Sequence, residues 1–181
     1  MKRQIFAGVV FVFFLTAIGS GAPKTEIRYQ TSELGSGRWQ YIYDVKNISL
    51  TETIEEFTIW FEFGLYENLA IQTPDPPAGN WSEIVIQPEL VLQDDGYYDA
   101  LVLDVGIGVG QTVKGFAVSF DWLGDAVMPG RQFYEIIDPV TFETIDSGYT
   151  VPEPTTLLLL GLGGLVLKRQ KEPRITQINA D

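Results

Sequence analysis

A two-residue period restricts this chain more than any other feature. From Arg38 to Asn47, Trp39, Tyr41, Tyr43 and Val45 fall on one side of an extended chain, with Gln40, Ile42, Asp44 and Lys46 on the other. Residues spaced this way cannot share one face of a helix, so the segment is predicted to be a strand with one face in a core. Residues 54–66 repeat the pattern, with Phe57, Ile59, Phe61 and Phe63 opposite Glu56, Thr58, Trp60 and Glu62. That run is expected to be the centre of the core. Further strands are predicted at 26–30, 81–86, 98–105, 112–122, 132–137 and 142–145, with helical spacing hard to find. Glycine and proline punctuate the gaps: Gly35 and Gly37, the run Pro74, Pro76, Pro77 and Gly79, then Gly96, and Pro129-Gly130. Eight or nine short strands with turn signals between them predict an all-β domain, an antiparallel β-sandwich of Ig-like or jelly-roll-like kind. A closed barrel is the rival arrangement.

Such a domain must hold itself together without crosslinks, because the chain has no cysteine. That absence also removes N-terminal lipid attachment, which needs a cysteine after an apolar leader. Histidine is absent too, which takes away the usual general base near neutral pH, the usual transition-metal ligand and the standard hydrolase triad. Between residues 23 and 150, six basic residues against 21 acidic ones leave the domain at −15. A surface of that sign repels phosphate backbones and anionic lipid, so nucleic acid is not an expected partner.

Both ends of the chain carry addresses. Lys2 and Arg3 precede an apolar run from Ile5 to Ile18, and small residues follow up to Ala22. Residues 1–22 are therefore predicted to be a secretory signal peptide, with Ala17-Ile18-Gly19 and Ser20-Gly21-Ala22 as alternative cleavage contexts. An apolar run of this length falls short of the roughly 20 residues of a spanning helix. After a domain expected over 23–150 comes Val151-Pro152-Glu153-Pro154, then an uncharged Leu-rich run over 155–167, then Lys168, Arg169 and Lys171. As a short hydrophobic helix that run would reach roughly 20 Å, against a hydrocarbon core of about 30 Å. Two prolines before it, and Gly161, Gly163 and Gly164 within it, make a durable anchor a poor account. A transient stop recognised by a membrane protease is the better one.

Val151, Pro152, Glu153 and Pro154, the Leu-rich run with its glycines, and the basic cluster over residues 151–171 together resemble the PEP-CTERM sorting signal. The resemblance implies a protein exported by the general secretory route and processed at the inner membrane by exosortase. It also implies a final place at the cell surface or in an extracellular, biofilm-type matrix, with polysaccharide as a partner. Such tails usually stop soon after the basic cluster, whereas here a polar extension runs over 172–181. The β-domain resembles others found ahead of such tails, on Tyr41-Ile42-Tyr43-Asp44-Val45-Lys46-Asn47 and Pro129-Gly130-Arg131-Gln132-Phe133, and no activity comes with that likeness.

The residues of the domain offer several chemistries. Carboxylates are the plentiful reactive groups, so Glu62, Asp104 and Asp121 are candidates for a glycosidase pair. Asp94, Asp95 and Asp99 offer calcium oxygen ligands, though their spacing is not that of an EF-hand and an acidic turn is the plainer reading. Trp60, Trp81, Tyr97 and Tyr98 could form a flat stacking surface for sugars, as in a carbohydrate-binding module, or could simply pack. Gly106, Gly108 and Gly110 resemble a phosphate loop, but no helix pattern follows to bind an anion. Asn47-Ile48-Ser49 and Asn80-Trp81-Ser82 match the glycosylation sequon. The expected whole is a non-catalytic exported sandwich with no required cofactor and a structural or adhesive role.

Overall fold

A computed structural model describes residues 22–153. All but the last residue of the expected signal peptide, and everything from Pro154 onward, lie outside the described residues. The domain consists of β1 (Thr25–Gly35), β2 (Arg38–Asn47), β3 (Glu56–Phe61), β4 (Tyr66–Ile71), β5 (Trp81–Ile86), β6 (Gly96–Val102), β7 (Thr112–Trp122), β8 (Phe133–Ile137), β9 (Thr144–Tyr149) and β10 (Val151–Pro152). One sheet runs β10-β1-β2-β7-β4 and the other β5-β6-β3-β8-β9. The two do not close on each other by hydrogen bonds, so the fold is a sandwich. Pairing is antiparallel throughout except where β10 lies parallel to β1. No helix among the described residues is long and apolar enough to cross a membrane.

The predicted inward faces meet between the sheets. Tyr41, Tyr43 and Val45 from β2 and Phe57, Ile59 and Phe61 from β3 are all buried. Rings interlock across the gap: Phe57 meets Phe116 edge-on at 4.9 Å, and Tyr66 meets Phe61 at 5.1 Å. Each fully buried aliphatic or aromatic side chain contributes about 1.5–3 kcal/mol by leaving water, and with no disulfide this core carries the fold.

Buried polar groups are satisfied, as a dry core requires. Gln132, at the head of β8, donates to the Tyr66 hydroxyl at 3.1 Å and accepts from Tyr43 at 3.3 Å. Tyr41 donates to the carbonyl of Gly130 at 2.6 Å. Burial pushes the phenols of Tyr41 and Tyr43 far above their ordinary range, so they stay neutral donors. Asn47 clamps the loop after β2, donating to the carbonyls of Glu52 and Ile107 and accepting from Leu50 N–H. Its side chain is thereby turned inward, out of reach of glycosylation, whereas Asn80 is exposed on one turn of 3-10 helix at Ala78–Asn80.

Several expectations change in detail: β6 spans Gly96–Val102 rather than 98–105, and β9 spans Thr144–Tyr149 rather than 142–145. The run over 54–66 is not one strand: β3 ends at Phe61, the chain turns through Gly64 at φ +78, and β4 joins the opposite sheet. In β4 a bulge with Asn68 at φ +53 puts the buried Tyr66 and Leu69 three apart, which hides the two-residue period. The first strand continues to Gly35, beyond the predicted 26–30. Finally, β10 starts one residue after the predicted end of the domain.

Candidate functional site

The two sheets present different outer faces, and the face of β5-β6-β3-β8-β9 is the chemically unusual one. Strand register lines up one residue from each strand across it. Ile86 faces Tyr97, Tyr97 faces Trp60, and Phe133 faces Tyr149. The β3–β8 register, with Ile59 opposite Tyr134, sets Trp60 beside Phe133. The result is a row running at right angles to the strands: Ile86, Tyr97, Trp60, Phe133, Tyr149. Trp60 and Tyr97 are half-buried, Phe133 is 36% exposed and Tyr149 54%.

Contacts on the sheet hold these rings in place. The indole of Trp60 donates to Glu135 at 2.9 Å, and Glu135 in turn accepts from Thr144 at 2.8 Å. Tyr97 lies 5.3 Å from Trp60, centroid to centroid, with the planes 58° apart. Phe133 and Tyr149 are 5.5 Å apart at 63°. The guanidinium of Arg131 sits 4.5 Å above the Tyr149 ring, a cation–π contact that orients both. The rings are tilted rather than coplanar, so the row is a corrugated trough and not a flat platform.

From Trp60 to its Tyr149 end the row borders a cleft of about 560 Å³, lined by Trp60, Phe133 and Tyr149 together with Trp122, Arg131, Glu62 and Asp95. Aromatic faces beside a few carboxylates and one guanidinium can stack on apolar C–H surfaces while bonding hydroxyl groups.

Two of the four aromatics singled out in the sequence belong to this row and two do not. Trp81 and Tyr98 are core residues, 4% and 0% exposed. Side chains alternate along β6, so Tyr97 points out and Tyr98 points in. Tyr98 donates to Glu83 at 2.5 Å on the inner side. Phe133 and Tyr149 complete the row and escaped the sequence reading. Phe133 reaches it through the pairing of β3 with β8, strands far apart in sequence, and Tyr149 through the β8–β9 hairpin.

The other candidates do not assemble. Glu62 follows β3, Asp104 lies in the loop after β6 at the opposite end of the sandwich, and Asp121 is on the outer face of the other sheet, bonded to Arg38 at 3.0 Å. Asp95 accepts from the backbone N–H of Phe63 at 2.7 Å, Asp94 pairs through its backbone with Glu89, and Asp99 accepts from Thr58 at 2.7 Å in mid-strand. No group of three or more acidic residues placed to hold a metal occurs among the described residues. Burial raises the carboxyl of Asp99 above its ordinary value, and the Thr58 bond offsets this only in part. The loop with Gly106, Gly108 and Gly110 leads into β7 rather than into a helix.

The motif that the tail resembles is placed at the sandwich edge as far as Glu153. Val151 and Pro152 form β10, and Glu153 receives a bond from Gln30. Pro154, Lys168, Arg169 and Lys171 lie outside the described residues. Comparison settles the tail: residues 150–171 match the PEP-CTERM protein-sorting motif. The chain carries that sorting motif. A PEP-CTERM chain is an exported protein that passes the membrane, so the sandwich is cargo. No curated protein is significantly similar to the chain. Among solved structures, a family 3b carbohydrate-binding module from the biomass-sensing system of Clostridium clariflavum is similar at a TM-score of 0.41 and 10% identity, over 72% of this chain and 87% of that one. At that score and identity the likeness goes no further than general architecture.

Proposed function

We propose that this PEP-CTERM protein is a non-catalytic surface or matrix component that binds extracellular polysaccharide along the outer face of β5-β6-β3-β8-β9. The observation that carries this is the cross-strand row of Tyr97, Trp60, Phe133 and Tyr149. Four aromatic side chains on neighbouring strands, each held by a hydrogen bond or ring contact, keep apolar surface in water that folding alone would bury. A sugar chain laid across the strands would cover it. Because the rings tilt, a single flexible glycan chain fits better than the flat surface of a crystalline one. The separated carboxylates speak for binding without hydrolysis. Delivery would follow from the sorting motif, through an exosortase-type membrane protease at the inner membrane.

Affinity electrophoresis of the full chain, in mild detergent, through gels holding different soluble polysaccharides tests the reading. Retardation by at least one glycan is expected, with loss in the double variant Trp60→Ala, Phe133→Ala. Equal retardation of that variant, or no retardation by any glycan, removes the proposal.

A further inference from the structure

The sorting motif does not hang free of the sandwich: its first three residues are held by β1. Val151 lies opposite Arg28 and Pro152 opposite Tyr29. The Glu153 N–H donates to the Tyr29 carbonyl at 3.0 Å, and the Gln30 amide donates to the Glu153 carboxylate at 2.5 Å. Thr150, just before the motif, is 1% exposed and bonds Gln132 in both directions, N–H to carbonyl at 2.8 Å and N–H to hydroxyl at 2.9 Å. The Lys114 ammonium, held charged chiefly by its bond to Asp44, also feels the Glu153 carboxylate. Between the last buried residue of the fold and the motif there is no spacer.

Proline chemistry makes this holding consequential. Pro152 and Pro154 have no N–H, so the backbone donors within the motif are those of Val151 and Glu153. Backbone groups of alternate strand residues point to the same side, so both donors face β1. A protease that reads this segment as an extended strand, through its backbone and its one carboxylate, needs the donor that Tyr29 occupies and the side chain that Gln30 occupies.

We infer that the edge of β1 competes with the membrane protease for Val151, Pro152 and Glu153, with Gln30 as a positioning residue outside the motif that sets how fast the folded chain is processed. The inference rests on exosortase-type processing of the motif. A two-residue strand at an exposed edge opens far more readily than the core. Processing therefore needs β10 to leave β1, not the sandwich to unfold, and the rate scales with the fraction released.

Pulse-chase of the full chain in cells that carry the protease, read by conversion to the mature mass, tests this with three variants. A flexible Gly-Ser spacer inserted after Thr150 is expected to speed conversion several-fold. Gln30→Glu, which sets a like charge against Glu153, should also speed it, and Gln30→Lys, which adds an attraction at the same exposed position, should slow it. Loss of packing moves both Gln30 variants the same way, so opposite shifts with unchanged thermal unfolding identify the docking contact. Equal rates for the wild-type, spacer and Gln30 chains overturn the docking. If no chain is converted, or if conversion persists when Pro152, Glu153 and Pro154 are replaced by alanine, the exosortase reading fails and the inference falls with it.

Discussion

The two outer faces of the sandwich have the same architecture and opposite chemistry. On the β10-β1-β2-β7-β4 sheet, Glu26 with Arg28, Asp44 with Lys114, and Arg38 with Asp121 form ion pairs across and along the strands. Arg38 also donates to Ser119 at 2.8 Å. This is a solvated, self-satisfied surface. On the opposite sheet the carboxylates are held by hydroxyls and an indole, Asp99 by Thr58 and Glu135 by Trp60 and Thr144. On the two edge strands beside them, Ile84 and Ile86 of β5 and Tyr149 of β9 stay in water at 48%, 46% and 54% exposure. Folding requires one apolar face per sheet, and both sheets already supply theirs to the core. The second apolar face is therefore surplus to folding, and a binding role is the simplest use for it.

Removing the shared core should erase both faces at once. Phe57 is fully buried and meets Trp81, Tyr98 and Phe116. Phe57→Ala is expected to cost about 3–5 kcal/mol, the range for large-to-small changes in a packed core. Urea unfolding monitored by tryptophan fluorescence measures it. A cost below about 1 kcal/mol would mean that the interlocked rings do not carry the fold.

Changing one face alone should separate binding from stability. Trp60→Ala is expected to weaken glycan binding tenfold or more, equivalent to about 1.4 kcal/mol, while leaving the core contacts in place. Gln40→Ala, on the ion-paired face, should leave binding unchanged. If both variants lose binding alike, the glycan does not distinguish the faces.

How much of this was legible depends on distance along the chain. Inward and outward positions of β2 and β3 follow from the local period, and Tyr41, Tyr43, Phe57 and Ile59 are buried as it predicts. The tail was legible for a related reason, since its prolines, apolar run and basic cluster are contiguous. The aromatic row was legible only by half. Trp60 and Tyr97 meet through the β3–β6 pairing and Trp60 and Phe133 through β3–β8, and no local signal states the register between strands so far apart; Tyr149 then joins Phe133 across the short β8–β9 hairpin. In β4 the bulge at Asn68 broke the period, and in β10 the strand is too short to have one.

The ion pairs themselves should matter little. The side chains of Arg38 and Asp121 are about a third exposed, at 34% and 36%. Arg38→Gln is expected to cost no more than about 1 kcal/mol, the usual worth of an exposed pair, with the difference shrinking as salt is added. Its glycan binding should match the wild type. A salt-independent loss of several kcal/mol would make the charged face a structural element in its own right.

The finest distinction between the faces is the sign of their response to pH. Asp121 is held below its ordinary value of 3.8 by the bond from Asn68 and the charge of Arg38. Its folded form binds the proton less readily than the unfolded chain does. Its stabilising contribution is present above pH 3.8 and is lost as pH falls through the lowered value. Asp99 is the reverse case: burial raises its carboxyl above 3.8, so the folded state binds the proton more readily. Glu56 is raised as well, by burial and by the nearby Asp99 charge. Stability from these two is present below the unfolded values and is lost as pH rises through the raised ones. Asp121→Asn should therefore be destabilising at neutral pH and converge on the wild type in acid. Asp99→Asn, whose amide oxygen can still accept from Thr58, should be more stable than the wild type at neutral pH, and that gain should vanish in acid. Denaturation midpoints of the three chains from pH 3 to 7 would show it, since both differences vanish in acid but they open in opposite directions as pH rises. Differences of the same sign would mean that the carboxylates of the aromatic face are solvated like those of the ion-paired one, and the contrast between the faces would then rest on its rings alone.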